Sequence, residues 1–378
     1  MTSFTILCIA LGTLATDLVV PRGGGDPMQG SISRLDEDGV RIKVEGATPV
    51  VLSWDRISDV QSKDDRFPRL EQFLEQGARL WRARTRLERG DTELAEPIFE
   101  VLFPGTIGRT SETALVVAEG LLRCRLKRGE LDAALLPALE VSRLRRLGIK
   151  TDSYAQLLPP SIGGESPGLI HLVDVDAGLV PYLPPAWIRG PALASRIPAT
   201  ESWDAGDDES LALLSSLYGR SIRQSMGEKI DPVDLEDEVI LESSGALLLG
   251  RMINALHQDD VVRKSARADL EAMLATDPDP WVESWIRFQL GRSLLMEPGM
   301  GQQRRGLLSL SHVPARWGQA QPYLSGVAMA IMADQFDAHD DVDAARRMRT
   351  DLRRMHPAHP VLRRGVEGMA TLPEKETP

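Results

Sequence analysis

The period of the hydrophobic positions changes early in the chain. From residue 17, in DLVVPRGGGDPMQGSISRLDEDGVRIKVEGATPVVLSWDRISDVQ, apolar residues come in short alternating runs such as Val40, Ile42 and Val44. Alternation with a period of two places one face of a strand against a core. Asp38-Gly39 sits between the strand-like GSISRL and that run, and predicts a tight hairpin. Glu45-Gly46 predicts the next turn, VVLSW a further short strand, and Gly23-Gly24-Gly25 a turn. Four or five strands this short are too few for a sandwich and predict a small barrel over 17–62.

From about residue 66 the period becomes helical. Leu80, Ala83 and Leu87 recur on one side of a helix, with Arg79, Arg82, Arg86 and Arg89 on the other. RLERGD at 86–91 returns as RLKRGE at 125–130. Gly90 and Gly129 then follow the last turn of a first helix, where a left-handed cap costs glycine nothing. Thr92 and Asp132 are the expected N-caps of a second helix. Pro97 and Pro137 fall inside that helix and predict a kink or a late start. Further on, Leu249-Gly250-Arg251 recurs as Leu290-Gly291-Arg292, and the same interval lands on Ile331-Met332-Ala333. The pattern predicts five helix pairs, two in 66–150 and three in 240–362, the latter within a helical region of 208–365.

The helical units resemble the tetratricopeptide repeat family. That resemblance implies a small residue on the first helix, glycine at the turn, alanine on the second helix and a large apolar residue four further on. Ala83, Gly90, Ala95 and Phe99 match it; Leu122, Gly129, Ala134 and Ala138 match it less well. The period of 39–41 is longer than the family's 34, and Arg86 and Arg125 stand where an aromatic or leucine is expected. Longer units of the HEAT type are the alternative. The 17–62 stretch resembles the SH3-like and Sm-like small barrels at the front of bacterial envelope proteins. Together these imply a mainly α fold: an α-solenoid of helix-turn-helix repeats preceded by a small β-barrel.

Two other regions stand out. Residues 151–207 are rich in Pro and Gly, yet LIHLVDVDAGLVPYLPPAWI is too apolar for disorder. They are expected to form a strap along the helices anchored by Tyr182 and Trp187, with a partner-binding loop as the alternative. Residues 1–16 hold an uncharged apolar run, Phe4 to Ala15, of the length of a signal-peptide core. Export to the periplasm or cell envelope is expected; a retained membrane anchor or a buried first strand are the alternatives. Residues 366–378 are expected to be a disordered tail.

Composition narrows the partners. The chain has 378 residues, and its net charge of -11 argues against bulk attraction to nucleic acid or anionic lipid. Membrane association is expected only through the N-terminal segment. Residues 79–150 carry 14 Lys and Arg against 10 Asp and Glu, whereas 201–242 carry 12 acids and 3 bases. Either the two segments meet or each is a solvated face. Cys8 and Cys124 are the only cysteines. With Cys8 in the leader, no internal disulfide is expected, and Cys124 reads as a small buried residue.

No nucleophile elbow, phosphate loop, zinc pattern or metalloprotease motif is present. His356 and His359 form H-x-x-H, but Pro357 and Pro360 place them in a turn. Asp337, His339, Asp340, Asp341 and Asp343 lack the alternation and glycine of a calcium loop and read as a turn with an N-cap, and Asp174 and Asp176 fail the same test. No cofactor and no metal are expected. The leading expectation is a non-enzymatic scaffold that binds a protein or peptide in a helical-repeat groove. Its contacts to an acidic partner would be Arg82, Arg86, Arg89, Arg125, Lys127 and Arg128. One alternative is an enzyme or carbohydrate-active protein with convergent groups around His171, Asp174 and Asp176. Another is a structural subunit that docks through its β module.

Overall fold

The computed structural model describes residues 16–62, 67–165, 171–189 and 191–364. The expected leader at 1–16 lies outside them but for Thr16, and the expected tail at 366–378 lies wholly outside them. The fold is mainly α with an N-terminal antiparallel sheet.

Five strands form that sheet: β1 (Asp17–Pro21), β2 (Met28–Asp36), β3 (Gly39–Lys43), β4 (Val50–Leu52) and β5 (Ile57–Gln61). Their order is β4-β3-β2-β1-β5. The β2–β3 hairpin forms, but its register pairs Asp36 with Gly39, so the two loop residues are Glu37 and Asp38. The VVLSW stretch holds β4 and then a 3-10 turn, Trp54–Arg56, that leads into β5. The expected barrel is corrected here: β4 and β5 are the two edges of an open sheet. A helix covers the side that strand closure would have sealed. This helix, α1 (Leu70–Glu88), inserts Phe73 among Val19, Ile32, Val40, Ile42, Trp54, Ile57 and Val60. The Phe73 and Trp54 rings stack with centroids 5.3 Å apart. Apolar burial, not strand pairing, completes this small core.

The helical part continues with α2 (Thr92–Leu102), α3 (Glu112–Arg128) and α4 (Leu131–Arg146). After a two-stranded hairpin, β6 (Pro160–Ser161) and β7 (Gly164–Glu165), come the short α5 (Pro191–Ala194) and α6 (Arg196–Glu201), then α7 (Glu209–Ser225) and α8 (Glu238–Glu242). The C-terminal helices are α9 (Ser244–Asn254), α10 (Asp260–Leu274), α11 (Pro280–Leu295), α12 (Met300–Trp317), α13 (Pro322–Ala338), α14 (Val342–Met355) and α15 (Val361–Arg364). Each long helix packs against its neighbours in sequence, and all share one apolar core.

The twin hexamers have the same turn geometry. Gly90 and Gly129 are left-handed, at φ 81° and 72°. Asp91 N–H donates to Arg86 O and Glu130 N–H donates to Arg125 O, both at 2.9 Å. Asp340 takes the same left-handed place at φ 61°, and Asp341 N–H donates to Phe336 O. Two local expectations are corrected. The N-cap residues are Asp91 and Glu130, one and two positions earlier than read, and Asp91 caps Leu94 N–H through its carboxylate. Neither Pro97 nor Pro137 delays its helix; both are carried inside.

A buried charge ties the sheet to the helices. Asp55, in the 3-10 turn, is fully buried and accepts from Arg84 of α1 at 2.6 Å and from Ser153 at 3.3 Å. At the other end of the chain, Arg363 of α15 pairs with Glu130 at the α3–α4 turn. The last described helix thus returns to the second unit.

Candidate functional site

The helices pack around a buried segment of the protein's own chain. Every residue from Ala177 to Ile188 is buried. Asp174 N–H and Leu179 N–H exchange bonds with each other's carbonyls, and the Asp174 carboxylate caps Ala177 N–H, which fixes the entry turn. Beyond it the segment is too proline-rich to pair as a strand, so its carbonyls need side-chain donors. Trp285 Nε1 of α11 and Gln321 Nε2, just before α13, both donate to Pro181 O, at 3.3 and 2.8 Å. Tyr218 Oη of α7 donates to Leu183 O at 3.1 Å, and Tyr323 Oη of α13 donates to Ala186 O at 2.8 Å. Trp187 Nε1 donates to Ser221 Oγ at 2.8 Å. Gly245 of α9 lets the segment lie flat: a Cβ there would sit 2.1 Å from Ala177 O. Tyr182 and Trp187 are both buried. The strap is not extended: 177–188 turns at 181–182, and the rest of 151–207 holds the β6–β7 hairpin, α5 and α6.

Two recesses lie beside this insertion. A trough of about 920 Å³ runs between Ser161–Glu165 of the hairpin and Pro314–Pro322 of the α12–α13 turn, with Met355 and His356 at one side. Among the described residues β6 and β7 pair only with each other. The hairpin tip is seated by Gly163 N–H, which donates to Lys127 O, and by Ile162, which packs on Gly129.

The second recess, of about 350 Å³, is lined by Glu119, Arg123, Arg145, Thr151, Tyr154, Ala155, His171, Leu172, Val173 and Val175. Glu119 is buried and bridges two guanidinium groups. Its Oε1 accepts from Arg123 Nε at 2.9 Å, and its Oε2 accepts from Arg145 Nη2 at 2.7 Å. His171 therefore lines a cavity, but the carboxylates named with it do not converge there. Asp174 is spent on the turn, and Asp176 is exposed and does not line the recess. The signal missed in the sequence is Glu119 with Arg123, one helical turn apart in a helix that is otherwise apolar there.

The six basic residues named from the sequence gather around the α1–α2 turn, and four of them bond inward. Arg125 donates to Ala133 O at 2.6 Å and to Glu100 at 3.0 Å. Arg128 pairs with Glu96 at 2.9 Å, and Lys127 reaches Gly90 O at 3.5 Å. Arg86 donates to Leu94 O at 3.1 Å. Burial raises the Glu96 carboxyl above its ordinary range, and Arg128 and Arg125 oppose that shift. Arg82 and Arg89 are exposed; Arg82 bonds only to its own helix, at Ala78 O. The basic and acidic segments touch at Arg146 and Asp208, 2.9 Å apart.

Other candidates resolve as packing. Burial pushes the Cys124 thiol up to about 12, so it is not a thiolate near neutrality. His356 and His359 are buried. His356 Nε2 lies 2.9 Å from Ser325 Oγ, and His359 donates from Nε2 to Tyr323 O while its Nδ1 accepts from Val361 N–H. Asp341 caps α14 at Ala344 N–H, and Asp334 and Asp337 pair with Arg349. Among the described residues no group of three or more metal-ligating side chains converges. No described helix is long and apolar enough to cross a membrane. Comparison of the chain with models of protein families, with curated proteins and with solved structures found no match.

Proposed function

We propose that the protein is a non-enzymatic interaction scaffold that holds an extended segment of a partner protein in the trough beside the β6–β7 hairpin. One observation carries this reading. The helices already hold a buried segment of their own chain, 177–188, through side-chain donors to its carbonyls, so the surface they pack around it is occupied from within. The trough is the larger of the two recesses beside it. Its walls present glycine backbone at 163, 164 and 318, and a two-stranded hairpin whose edges pair with no other strand among the described residues favours recognition by strand addition.

The finer structural reading follows the same line. The helix pairs are tetratricopeptide-like, or HEAT-like, units of a solenoid whose two ends are drawn together by α15. The β module is an SH3-like arrangement left open for α1. Export through residues 1–16 would place the protein in the periplasm or cell envelope. Arg82 and Arg89, which stay exposed on α1 and at its end, lie away from the trough, and the net charge disfavours nucleic acid.

The test uses a photo-cross-linking residue placed singly at Ala315, on the trough, and at Val101, an exposed position on α2. In cells, a discrete adduct at 315 and none at 101 is expected. Adducts at both positions alike, or at neither, would remove the trough from the reading.

A further inference from the structure

We propose that the recess under residues 171–175 is a binding site for a small organic monocarboxylate with an apolar body. This inference does not depend on the trough or on any protein partner.

The charge count at the recess favours an anion. Two guanidinium groups, Arg123 and Arg145, face one carboxylate, Glu119. Glu119 is 3% exposed and Arg123 6%, so both are held in place away from solvent. Arg123 is fully engaged: it bonds Glu119, donates from Nη1 to Leu158 O at 3.0 Å, and lies over the Tyr154 ring. Arg145 is not. Its single bond among the described residues runs from Nη2 to Glu119, which leaves Nε, Nη1 and the second Nη2 hydrogen without a protein acceptor. A guanidinium fixed at one corner by a buried carboxylate, with its remaining donors unspent, is preset for a second carboxylate. His171, on the exposed rim, adds a further ring nitrogen on the same side.

The remainder of the wall decides what the acid carries. Leu172, Val173, Val175, Ala155 and the Tyr154 ring are apolar. The polar groups beside them are already committed: Tyr154 Oη donates to Val116 O, and Thr151 Oγ1 donates to Glu112. A sugar or polyol would find few free partners there. A short aliphatic or aromatic body would fill the space, and about 350 Å³ lies at the small end of ligand sites. The proposal is one of binding alone and includes no catalytic step.

The test is calorimetric titration of the full chain with benzoate, phenylacetate and hexanoate, and with benzamide as the uncharged counterpart of benzoate. Saturable one-to-one binding of at least one acid is expected, with Kd below about 1 mM. Benzamide should bind at least tenfold more weakly than benzoate. Arg145→Gln should weaken the acid at least tenfold. Val175→Trp, at a 42% exposed position on the rim, should block the recess and leave every ion pair intact. If Arg145→Gln fails to fold, the benzamide comparison and Val175→Trp still decide. Absence of saturable binding by all three acids overturns the proposal. So does benzamide binding equal to benzoate, or binding unchanged by Val175→Trp.

Discussion

Arg125 supplies the hydrogen bond that Pro137 removes. Pro137 has no N–H to give to Ala133 O, four residues back in α4, and Arg125 Nη1 donates to that carbonyl from α3 at 2.6 Å. Arg86 makes the corresponding bond to Leu94 O, also eight residues ahead, beside the carbonyl that Pro97 leaves free. The repeated arginine therefore clamps each helix-turn-helix. Removing it should cost about 1.5–3 kcal/mol, the range for a hydrogen bond with a charged partner. The loss from Arg125→Met should be smaller by at least ~0.5 kcal/mol when Pro137→Ala restores the backbone donor. Urea unfolding of the four proteins measures this coupling, and simple additivity would show that the two residues act independently.

Packing of the first two units predicts a larger effect. Leu87 and Leu126 occupy the same place in the two RL pairs and are 6% and 3% exposed. Either Leu→Ala change should destabilise by about 2–5 kcal/mol through lost burial and an unfilled cavity. A shift in the urea midpoint at constant slope is the expected signature.

The join between sheet and helices rests on Asp55. Arg84→Leu leaves a fully buried carboxylate without its ion pair and should cost about 3–5 kcal/mol. Asp55→Asn combined with Arg84→Leu should recover much of that loss, since the charge is gone. If the double variant is no more stable than Arg84→Leu alone, the pair is not what links the two parts.

Acid should weaken the C-terminal helices through His359. Burial holds its imidazole down at about 4, and both ring nitrogens are committed in the neutral form. The ordinary value is about 6.5. Above that pH neither folded nor unfolded chain takes the proton, so stability from this group is complete. As pH falls from 6.5 towards 4 the unfolded chain is protonated first, and about 3 kcal/mol is lost. His356, whose ring centroid is 6.3 Å away, is shifted down by burial as well and adds loss in the same direction. His359→Gln should flatten the stability profile between pH 6.5 and 4 relative to wild type. An unchanged profile would assign the acid sensitivity elsewhere.

The helix pairs and their turns are legible in the sequence because their causes are local. In the first two units a glycine at the turn, an acid after it and apolar residues at helical spacing specify the helix pair without outside help. The caps were read one or two residues late because Thr92 and Asp132 are good cap residues in isolation, while the turn bonds of Gly90 and Gly129 fix the start earlier. The open sheet is not legible, since its core is completed by Phe73 from outside the strand segment. Nor is the use of the arginines legible: one face of basic residues looks the same whether it meets solvent or, as Arg86 and Arg125 do, backbone carbonyls of the next helix. The Glu119 recess is assembled from α3, α4 and residues of 151–155 and 171–175, and no spacing along the chain announces it.

The buried segment 177–188 has a consequence for how the chain is made. Its carbonyl donors lie far downstream: Trp285 is 104 positions from Pro181, Gln321 is 140, and Tyr323 is 137 from Ala186. At ordinary synthesis rates the apolar stretch LVPYLPPAWI leaves the ribosome roughly 7–28 s before Gln321 does. A simple linear array folds by adding finished units to a growing end. This chain cannot, because its centre is completed only when its last helices arrive. Through that interval the stretch lacks the donors that hold its carbonyls, and deleting α13 would remove the Tyr323 bond to Ala186 O for good.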